Sequence, residues 1–251
     1  MLRDFEVELS VGPGGLCQLL NEAYNRKMDI TVRGFSGYNS RWMLPMLEQI
    51  LAKRTARAHL PTVRLLALWL GPNDAAHPGE PQHVPRAEFA ANLRAAVRMV
   101  RDPASAWHAP GTRVLLLTPP PVHVAQWVGF LSVAGQPAPR ETTDRDFDGM
   151  KAYAEAVREV GMREGVPVVD VWSVLWEAAG RREEGLADIF LDGLHMKPVG
   201  YKLVYDAFIA TILEHYPEIH YDNLPMAYPY WCDIIGKDHM QLLQHSSATT
   251  L

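Results

Sequence analysis

The prediction of the fold rests first on the segment VRLLALWLGPND, residues 63–74. Its first eight residues, Val63–Leu70, are apolar apart from one arginine and do not alternate with polar residues. This pattern is typical of a strand covered on both faces, as in the parallel sheets of α/β proteins. Gly71 and Asn73 follow directly, and both are common turn residues, so the strand is predicted to end there.

Further strands and amphipathic helices alternate along the chain on either side of this stretch. Apolar residues recur at helical spacing in the helices, whereas the strands are short apolar runs. The strands are predicted at residues 29–34, 63–70, 112–118 and 166–171, and the helices at 13–27, 42–53, 85–101, 146–164, 173–179 and 198–215. This alternation predicts a parallel sheet inside a three-layer α/β/α sandwich.

Ligands of such sheets bind at the carboxyl ends of the strands. Two polar segments, residues 33–39 and 71–76, directly follow predicted strands and therefore belong to this edge. The segment 123–145 has no strong periodicity and is predicted to overhang the edge. Its apolar side chains could line an acyl pocket or anchor the loop, and anchoring is favoured because buried aromatic residues mostly serve packing. These side chains are Trp127, Phe130 and Leu131.

Composition indicates a globular protein without a nucleic-acid partner. The chain has 251 residues, of which 48% are hydrophobic and 21% are charged, and its formal net charge is −5. No Gly-, Ser- or Pro-rich linker divides it, so residues 1–251 are interpreted as one domain. Residues 216–251 are interpreted as a C-terminal extension whose end is predicted to be disordered. Basic residues are spread evenly, unlike the clustered footprint of a protein that binds DNA or RNA.

Other features favour a cytoplasmic protein. Cys17 and Cys232 lie far apart and form no CxxC motif, which favours a reducing compartment. The first ten residues contain acidic side chains and no apolar core, so they do not resemble a signal peptide. The longest apolar runs are far too short to span a bilayer.

Motifs for metals and nucleotides are missing from the sequence. The ten histidines include no HExxH arrangement, and the carboxylates near His195 do not form a ligand set. Glycine-rich loops of the GxxxxGK[ST] or GxGxxG type do not occur either. The sequence therefore predicts no metal and no nucleotide cofactor.

Candidate catalytic residues lie in FLDGLHMKPVGY, residues 190–201, where Asp192 and His195 are three positions apart. A carboxylate that orients an imidazole is one part of the catalytic group of many hydrolases. Such a pair alone is more often a surface or hydrogen-bonded pair than a catalytic one. Its interpretation therefore depends on the other motifs.

Two further motifs supply hydrogen-bond donors. In GPND, Asn73 could direct its side-chain amide at the charge of a tetrahedral intermediate, or it could be an ordinary turn residue. Asp74 could cap the next helical turn instead. In RGFSGYNSRW, residues 33–42, two glycines bracket a serine, and glycine lets backbone N–H groups approach a ligand closely.

Together, RGFSGYNSRW, GPNDAA, TPPPV and DGLHMKPVGY resemble the SGNH (GDSL-type) hydrolase superfamily, and within it the isoamyl acetate-hydrolysing esterase branch. The resemblance covers residues 14–230. It implies a flavodoxin-like α/β/α sandwich that hydrolyses small carboxylic esters without a metal or cofactor. It also implies that Gly37 supplies a backbone N–H and Asn73 a side-chain N–H to the oxyanion hole. Asp192 would orient His195, which would act first as general base and then as general acid.

The sequence departs from the family pattern at its N-terminal side. The family begins with a buried strand that ends in GDS, whose serine is the nucleophile, followed by a Gly-Gly pair and a helix. Because Gly14–Gly15 and the helix are present, the serine is expected near position 5, where Asp4 is followed by Phe5. The preceding strand is also missing, and it should pair on both sides in a flavodoxin-like sheet. Each backbone group that it leaves buried and unpaired would cost about 1–3 kcal/mol.

Three explanations remain open at this stage. In the first, the sequence is N-terminally incomplete, with the GDS element upstream. In the second, the segment RDFEVEL, residues 3–9, fills the place of the strand. In the third, the chain is a pseudoenzyme that binds a small acyl ligand without turnover. The second explanation puts Phe5, Val7 and Leu9 on one face and places Ser10 at the end of the strand as a displaced nucleophile. Ser10 lacks the preceding Gly-Asp that shapes the turn in the family.

Overall fold

A computed structural model describes residues 11–133 and 142–243 of the chain, with a parallel sheet at the centre. In these residues the strands are β1 (Leu65–Trp69), β2 (Arg113–Leu117) and β3 (Val168–Val169), in the order β1-β2-β3. Leu65 pairs with Arg113, and Leu116 pairs with Val168. The predicted parallel sheet is therefore confirmed.

Helices cover both faces of this sheet. They are α1 (Leu16–Ala23), α2 (Ser40–Ile50), α3 (Arg86–Arg101), α4 (Val124–Val133), α5 (Phe147–Glu164), α6 (Val171–Ala178), α7 (Pro198–His215), α8 (Trp231–Ile234) and α9 (His239–Leu242). Short 3₁₀ helices are formed by Arg54–His59, Glu183–Asp188 and Pro217–Ile219. On one face α2, α3 and α5 pack together, and on the other α7 packs against α1 and α6.

The strands are apolar at every position because both of their faces are buried. Along β1, Leu66 and Leu68 belong to the hydrophobic core beneath α2, α3 and α5, whereas Leu65, Ala67 and Trp69 belong to the core beneath α1, α6 and α7. Successive side chains of a strand point to opposite faces, so one uninterrupted apolar run supplies both cores. The α/β/α layering inferred from residues 63–70 follows from this geometry.

Polar side chains cap the beginnings of α2 and α5. The Asn39 side chain accepts a hydrogen bond from the Trp42 N–H at 3.0 Å and begins α2. The Asp146 side chain accepts one from the Gly149 N–H at 2.6 Å and begins α5. Such caps satisfy N–H groups that have no partner inside the helix. The predicted helix at 146–164 is confirmed almost to the residue.

The predicted strand at residues 29–34 is wrong for the described chain. That segment contains no strand, and only Val32 makes an isolated bridge. Ile30 and Thr31 line a cavity together with Leu65 and Ala67 of β1. A strand needs a neighbour at about 4.8 Å to satisfy its backbone groups, and among the described residues this segment belongs to no sheet.

The overhanging segment is more regular than its sequence indicates. Residues 124–133 form α4, although we expected no periodic structure there. Apolar residues occur all around this helix, so the one-sided pattern that identifies an amphipathic helix is absent. Residues 134–141 lie outside the described residues, as do the proposed replacement strand at residues 3–9, Phe5 and Ser10.

The C-terminal extension packs against the body at its beginning. Ile219 and Leu224 are buried in the core beneath α1, α6 and α7, and the Tyr24 hydroxyl donates a hydrogen bond to the Ile219 carbonyl at 3.0 Å. The predicted disordered end, residues 245–251, lies outside the described residues. Within the described ranges, none of the helices has both the length and the apolar character needed to cross a bilayer.

Candidate active site

A tight loop between a 3₁₀ helix and α7 holds Asp192 and His195. Phe190 and Met196 form an antiparallel bridge that closes this loop. Gly193, between the two catalytic candidates, has φ +98°, and a Cβ there would lie 2.5 Å from the His123 carbonyl oxygen and the Trp127 nitrogen. Glycine is therefore required at this position, because a side chain would push the loop away from α4.

Asp192 and His195 form a hydrogen-bonded pair, as the DGLH motif predicts. The His195 Nδ1 hydrogen bonds to Asp192 Oδ2, and both side chains are buried. Asp192 Oδ1 accepts the N–H groups of Leu194 at 3.0 Å and His195 at 2.8 Å. Burial alone would raise the pKa of Asp192, but these hydrogen bonds and the imidazole hold that pKa below its ordinary value. The carboxylate is thus ionised and fixed, with the second ring nitrogen, Nε2, as the atom through which His195 would act.

Two aromatic residues of α4 face the imidazole. The ring of Trp127 lies edge-on to His195 with centroids 5.9 Å apart, and the ring of Phe130 does so at 6.4 Å. Trp127 is buried and also anchors the segment, since its Nε1 donates a hydrogen bond to Asp144 Oδ1 at 2.7 Å. Trp127 therefore anchors this segment, as expected from the sequence, and it also contacts the imidazole.

The two candidate oxyanion donors come together on adjacent loops. Asn73 is buried at the end of β1 and donates a hydrogen bond from Nδ2 to the Tyr38 carbonyl at 2.8 Å. Gly37, the residue before Tyr38, has φ +77°, and its carbonyl accepts a hydrogen bond from Gln82 Nε2 at 2.9 Å. The structure places both residues at the carboxyl edge, as the sequence predicts.

The N-terminal end of the described chain lies beside the loop that holds the dyad. A Cβ on Gly14 would lie 2.7 Å from the Pro198 Cβ, and Pro198 is only three residues after His195. Gly14 has φ +73°, so glycine is required here both for its backbone and for this close approach. Gly14 therefore lies beside the start of α7, close in sequence to His195.

The chain is similar to proteins of a known family. Residues 9–203, more than half of the chain, match the GDSL-like Lipase/Acylhydrolase family. The chain belongs to this family. The motifs at both oxyanion candidates and at Asp192 lie inside the matched region.

Relatives within the family include named esterases. The chain is 31% identical over 233 residues to isoamyl acetate-hydrolyzing esterase 1 homolog of Bos taurus, covering 92% of this chain and 85% of that protein. It is 30% identical over 226 residues to isoamyl acetate-hydrolyzing esterase of Saccharomyces cerevisiae, covering 86% and 82%. The resemblance to the esterase branch thus extends over most of both chains.

Solved structures share the fold. A lipase/acylhydrolase from Enterococcus faecalis superposes with a TM-score of 0.58 at 18% identity, covering 91% of this chain and 98% of that one. An acetyl xylan esterase superposes with a TM-score of 0.62 at 13% identity, covering 84% and 98%. The α/β/α fold expected from the sequence is therefore shown.

Sequence reasoning missed Arg145, which connects the two halves of this family site. Arg145 is buried and pairs with Asp144, and it donates a hydrogen bond to the Pro72 carbonyl at 2.7 Å. It also lies over the Trp127 ring at 5.2 Å and reaches Gln82 Oε1 at 3.3 Å. One guanidinium thus connects the aromatic helix directly to the loop of Asn73 and, through Gln82, to the loop of Gly37. Its position in the sequence TTDRD did not indicate these contacts, because charged residues in such a segment are normally exposed to solvent.

We expect Arg145→Met to destabilise the fold by about 3–5 kcal/mol, because it leaves the buried Asp144 carboxylate without its main countercharge. Denaturant unfolding followed by tryptophan fluorescence measures this change. Arg98→Met is the matched control, since Arg98 pairs with Glu164 on the surface and its side chain is 64% exposed. A loss of stability no larger in the Arg145 variant than in this control would contradict the assigned role.

Asp74 is a second buried acid beside the site. Its Oδ1 accepts the Ser40 N–H at 2.9 Å, while no hydrogen-bond partner for Oδ2 is found among the described residues. Burial raises the pKa of Asp74 to about 6, although hydrogen bonds from Ser40 offset part of that effect. The prediction that Asp74 caps a helical turn is not tested by these contacts, which tie it to the first residue of α2.

The folded-state pKa of Asp74 lies above its ordinary value of 3.8, so its ionisation weakens the fold as pH rises from about 4 to 6. The cost above pH 6 is about 3 kcal/mol at most. We therefore expect Asp74→Asn to raise the melting temperature at pH 8 and to raise it much less at pH 4.5. Asp188→Asn, at an exposed position, is the control. An equal shift of the Asp74 variant at both pH values would exclude this explanation.

Proposed function

We propose that this chain hydrolyses small carboxylic esters by acyl transfer through a serine nucleophile. The observation that supports this most is the buried pair of Asp192 and His195 with aromatic rings against the imidazole. Such a pair in a partly apolar site can take a proton from a hydroxyl and return it to a leaving group. Acetate esters of small alcohols are the proposed substrates, because the named relatives hydrolyse isoamyl acetate.

The reaction uses each group in a defined order. The serine oxygen attacks the ester carbonyl while its proton moves to His195 Nε2, and Asp192 stabilises the resulting imidazolium. The carbonyl oxygen becomes an oxyanion, which the Gly37 N–H and the Asn73 amide stabilise. When the tetrahedral intermediate collapses, the C–O bond to the alcohol breaks and His195 gives its proton to the leaving alkoxide. Water then hydrolyses the acyl-enzyme by the same route in reverse.

Ser10 is the proposed nucleophile. Gly14 lies against Pro198, and four extended residues span at most about 14 Å, so a serine at position 10 is within reach of the dyad. Phe5 stands where the family pattern places its serine, and a phenyl ring cannot carry an acyl group. A displaced serine at position 10 would complete the triad within the given sequence.

Fluorophosphonate labelling tests this assignment. We expect stoichiometric labelling of the folded protein, with the modified peptide containing Ser10, and loss of labelling in Ser10→Ala. Ser132→Ala is the matched control, since Ser132 lies on α4 and donates its hydroxyl hydrogen to the Gly129 carbonyl instead. Labelling that survives in Ser10→Ala would reject Ser10 while leaving the esterase proposal intact.

A second candidate is a pseudoenzyme that binds a small acyl ligand without turnover, and Phe5 at the expected nucleophile position favours it. In that case short esters and carboxylates should raise the melting temperature although no labelling occurs. Labelling of the wild-type protein would exclude this candidate. Absence of both labelling and any thermal shift would exclude both candidates.

A further inference from the structure

A tight turn carries Gly37, the proposed backbone donor of the oxyanion hole. The Tyr38 N–H donates a hydrogen bond to the Phe35 carbonyl at 3.1 Å, so Ser36 and Gly37 are the two central residues of this turn. Gly37 has φ +77°, whereas Ser36 is not among the residues with positive φ in the described part of the chain. A positive φ at the second central residue alone identifies a type II turn.

The type of the turn sets the direction of the Gly37 N–H. This N–H belongs to the peptide unit between Ser36 and Gly37, which is the central unit of the turn. The second central residue has φ of about −90° in a type I turn and about +80° in a type II turn, and the two types differ by a rotation of the central unit of roughly 180°. A change to type I would therefore turn the N–H away from an oxyanion that it stabilises.

The side chain of Gln82 holds this turn from outside. Its Nε2 donates a hydrogen bond to the Gly37 carbonyl at 2.9 Å. The peptide unit between Gly37 and Tyr38 thus has both of its polar groups bonded, since the Tyr38 N–H is bonded to the Phe35 carbonyl. A peptide unit is planar, and its C=O and N–H point in opposite directions when it is trans. The two hydrogen bonds therefore fix this unit, and with it the Cα of Gly37, from both sides.

The neighbours of Gln82 fix the orientation of its amide. Gln82 Oε1 accepts a hydrogen bond from Arg145 at 3.3 Å, and the Gln82 backbone carbonyl accepts one from Asn39 Nδ2 at 2.9 Å. An amide turned the other way would place its NH2 against the guanidinium and its oxygen against the Gly37 carbonyl, so donor would face donor and acceptor would face acceptor. The observed orientation is the one that satisfies both ends of the amide.

We propose that Gln82 is a positioning residue, which holds the turn in its type II form and thereby keeps the Gly37 N–H directed at the oxyanion. This inference rests on the proposed hydrolysis of esters. Loss of a whole oxyanion donor lowers kcat by about 10²–10³-fold. Loss of the Gln82 hydrogen bond should cost less, about 10–100-fold, because the turn still adopts the type II form for part of the time.

The variant Gln82→Glu separates the two contacts of this side chain. At pH 8 a carboxylate still accepts a hydrogen bond from Arg145, but it has no N–H to donate to the Gly37 carbonyl. We expect kcat for p-nitrophenyl acetate to fall about 10–100-fold and KM to change less than about two-fold, because the oxyanion forms only in the transition state. If Gln82 only supported Arg145, the variant would keep the wild-type kcat, and that result would overturn the proposal.

The matched control is Gln49→Glu, which introduces the same charge in α2. Gln49 also donates a hydrogen bond from Nε2 to a backbone carbonyl, that of Pro45 at 3.1 Å, but on the exposed surface. This control should leave kcat and KM unchanged. A loss of kcat as large as that of Gln82→Glu would assign the effect to the added charge and would also overturn the proposal.

Hydrogen exchange at the Tyr38 amide tests the hold on the turn without any enzymatic activity. We expect this amide to exchange at least about 10-fold faster in Gln82→Glu than in the wild-type protein or in Gln49→Glu, because the turn opens more often. The Leu93 amide, inside α3, should exchange equally in all three and shows that they are folded. If the wild-type protein hydrolyses no ester, the proposed function fails, whereas faster exchange at Tyr38 still supports the hold of Gln82 on the turn. Unchanged exchange at Tyr38 would overturn that hold.

Discussion

His195→Ala should lower kcat/KM for p-nitrophenyl acetate by about 10⁴-fold or more, because His195 is the proposed acceptor of the proton of the nucleophile. The loss should appear mainly in kcat, since the imidazole acts in the transition state and contributes little to ground-state binding. Initial rates measured at several substrate concentrations separate the two constants.

The control for this variant is His215→Ala. His215 lies in the last turn of α7, where its side chain is 43% exposed, and it has no place in the proposed reaction. His215→Ala should unfold at nearly the same temperature as the wild-type protein, and the rate of His195→Ala is compared in a sample shown to be folded. If the His195 variant kept more than a tenth of the wild-type rate, His195 could not be the general base.

Asp192→Asn should lower kcat by about 10⁴-fold, although it changes a single atom. In the wild-type protein Asp192 Oδ2 holds the proton of His195 on Nδ1, which leaves Nε2 as the base. An asparagine amide would donate to Nδ1 instead and would favour the tautomer with the proton on Nε2, which cannot act as a base. Asn could still accept the N–H groups of Leu194 and His195 through its oxygen, so the loop should keep its shape.

The pH dependence distinguishes a catalytic role of Asp192 from a structural one. A tautomer effect lowers kcat across the whole range from pH 6 to 9, whereas a distorted loop would lower the melting temperature as well. Asp188→Asn, four residues earlier at an exposed position, should leave kcat and stability unchanged. A variant at Asp192 with unchanged kcat would show that this carboxylate has no part in the reaction.

Much of the fold could be predicted from the sequence because the strands are buried on both faces. Residues 63–70 and 112–118 are apolar without interruption, and both became strands of the parallel sheet. The predicted strand at 29–34 failed because strand formation depends on a partner that its own residues do not reveal. Helix α4 was missed since its apolar residues surround the axis, so no periodicity marks it.

Only the part of the site that is formed by residues close in sequence could be predicted. Asp192 and His195 are close in sequence, and a local motif therefore indicates their pairing. Arg145 acts on residues that are 63 and 73 positions away, at Gln82 and Pro72, and no local pattern can reveal such contacts. The raised pKa of Asp74 likewise arises from its burial in the folded chain, and hydrogen bonds from Ser40, 34 positions away, offset only part of that effect.

Acetate release from isoamyl acetate should be measured with folded wild-type protein and with folded His195→Ala under the same conditions. This measurement asks whether Asp192 and His195 form a working acid–base pair for small esters in this chain. Such a pair predicts steady acetate release by the wild-type protein and release at the background rate by the variant. Equal rates in the two folded samples would contradict this prediction.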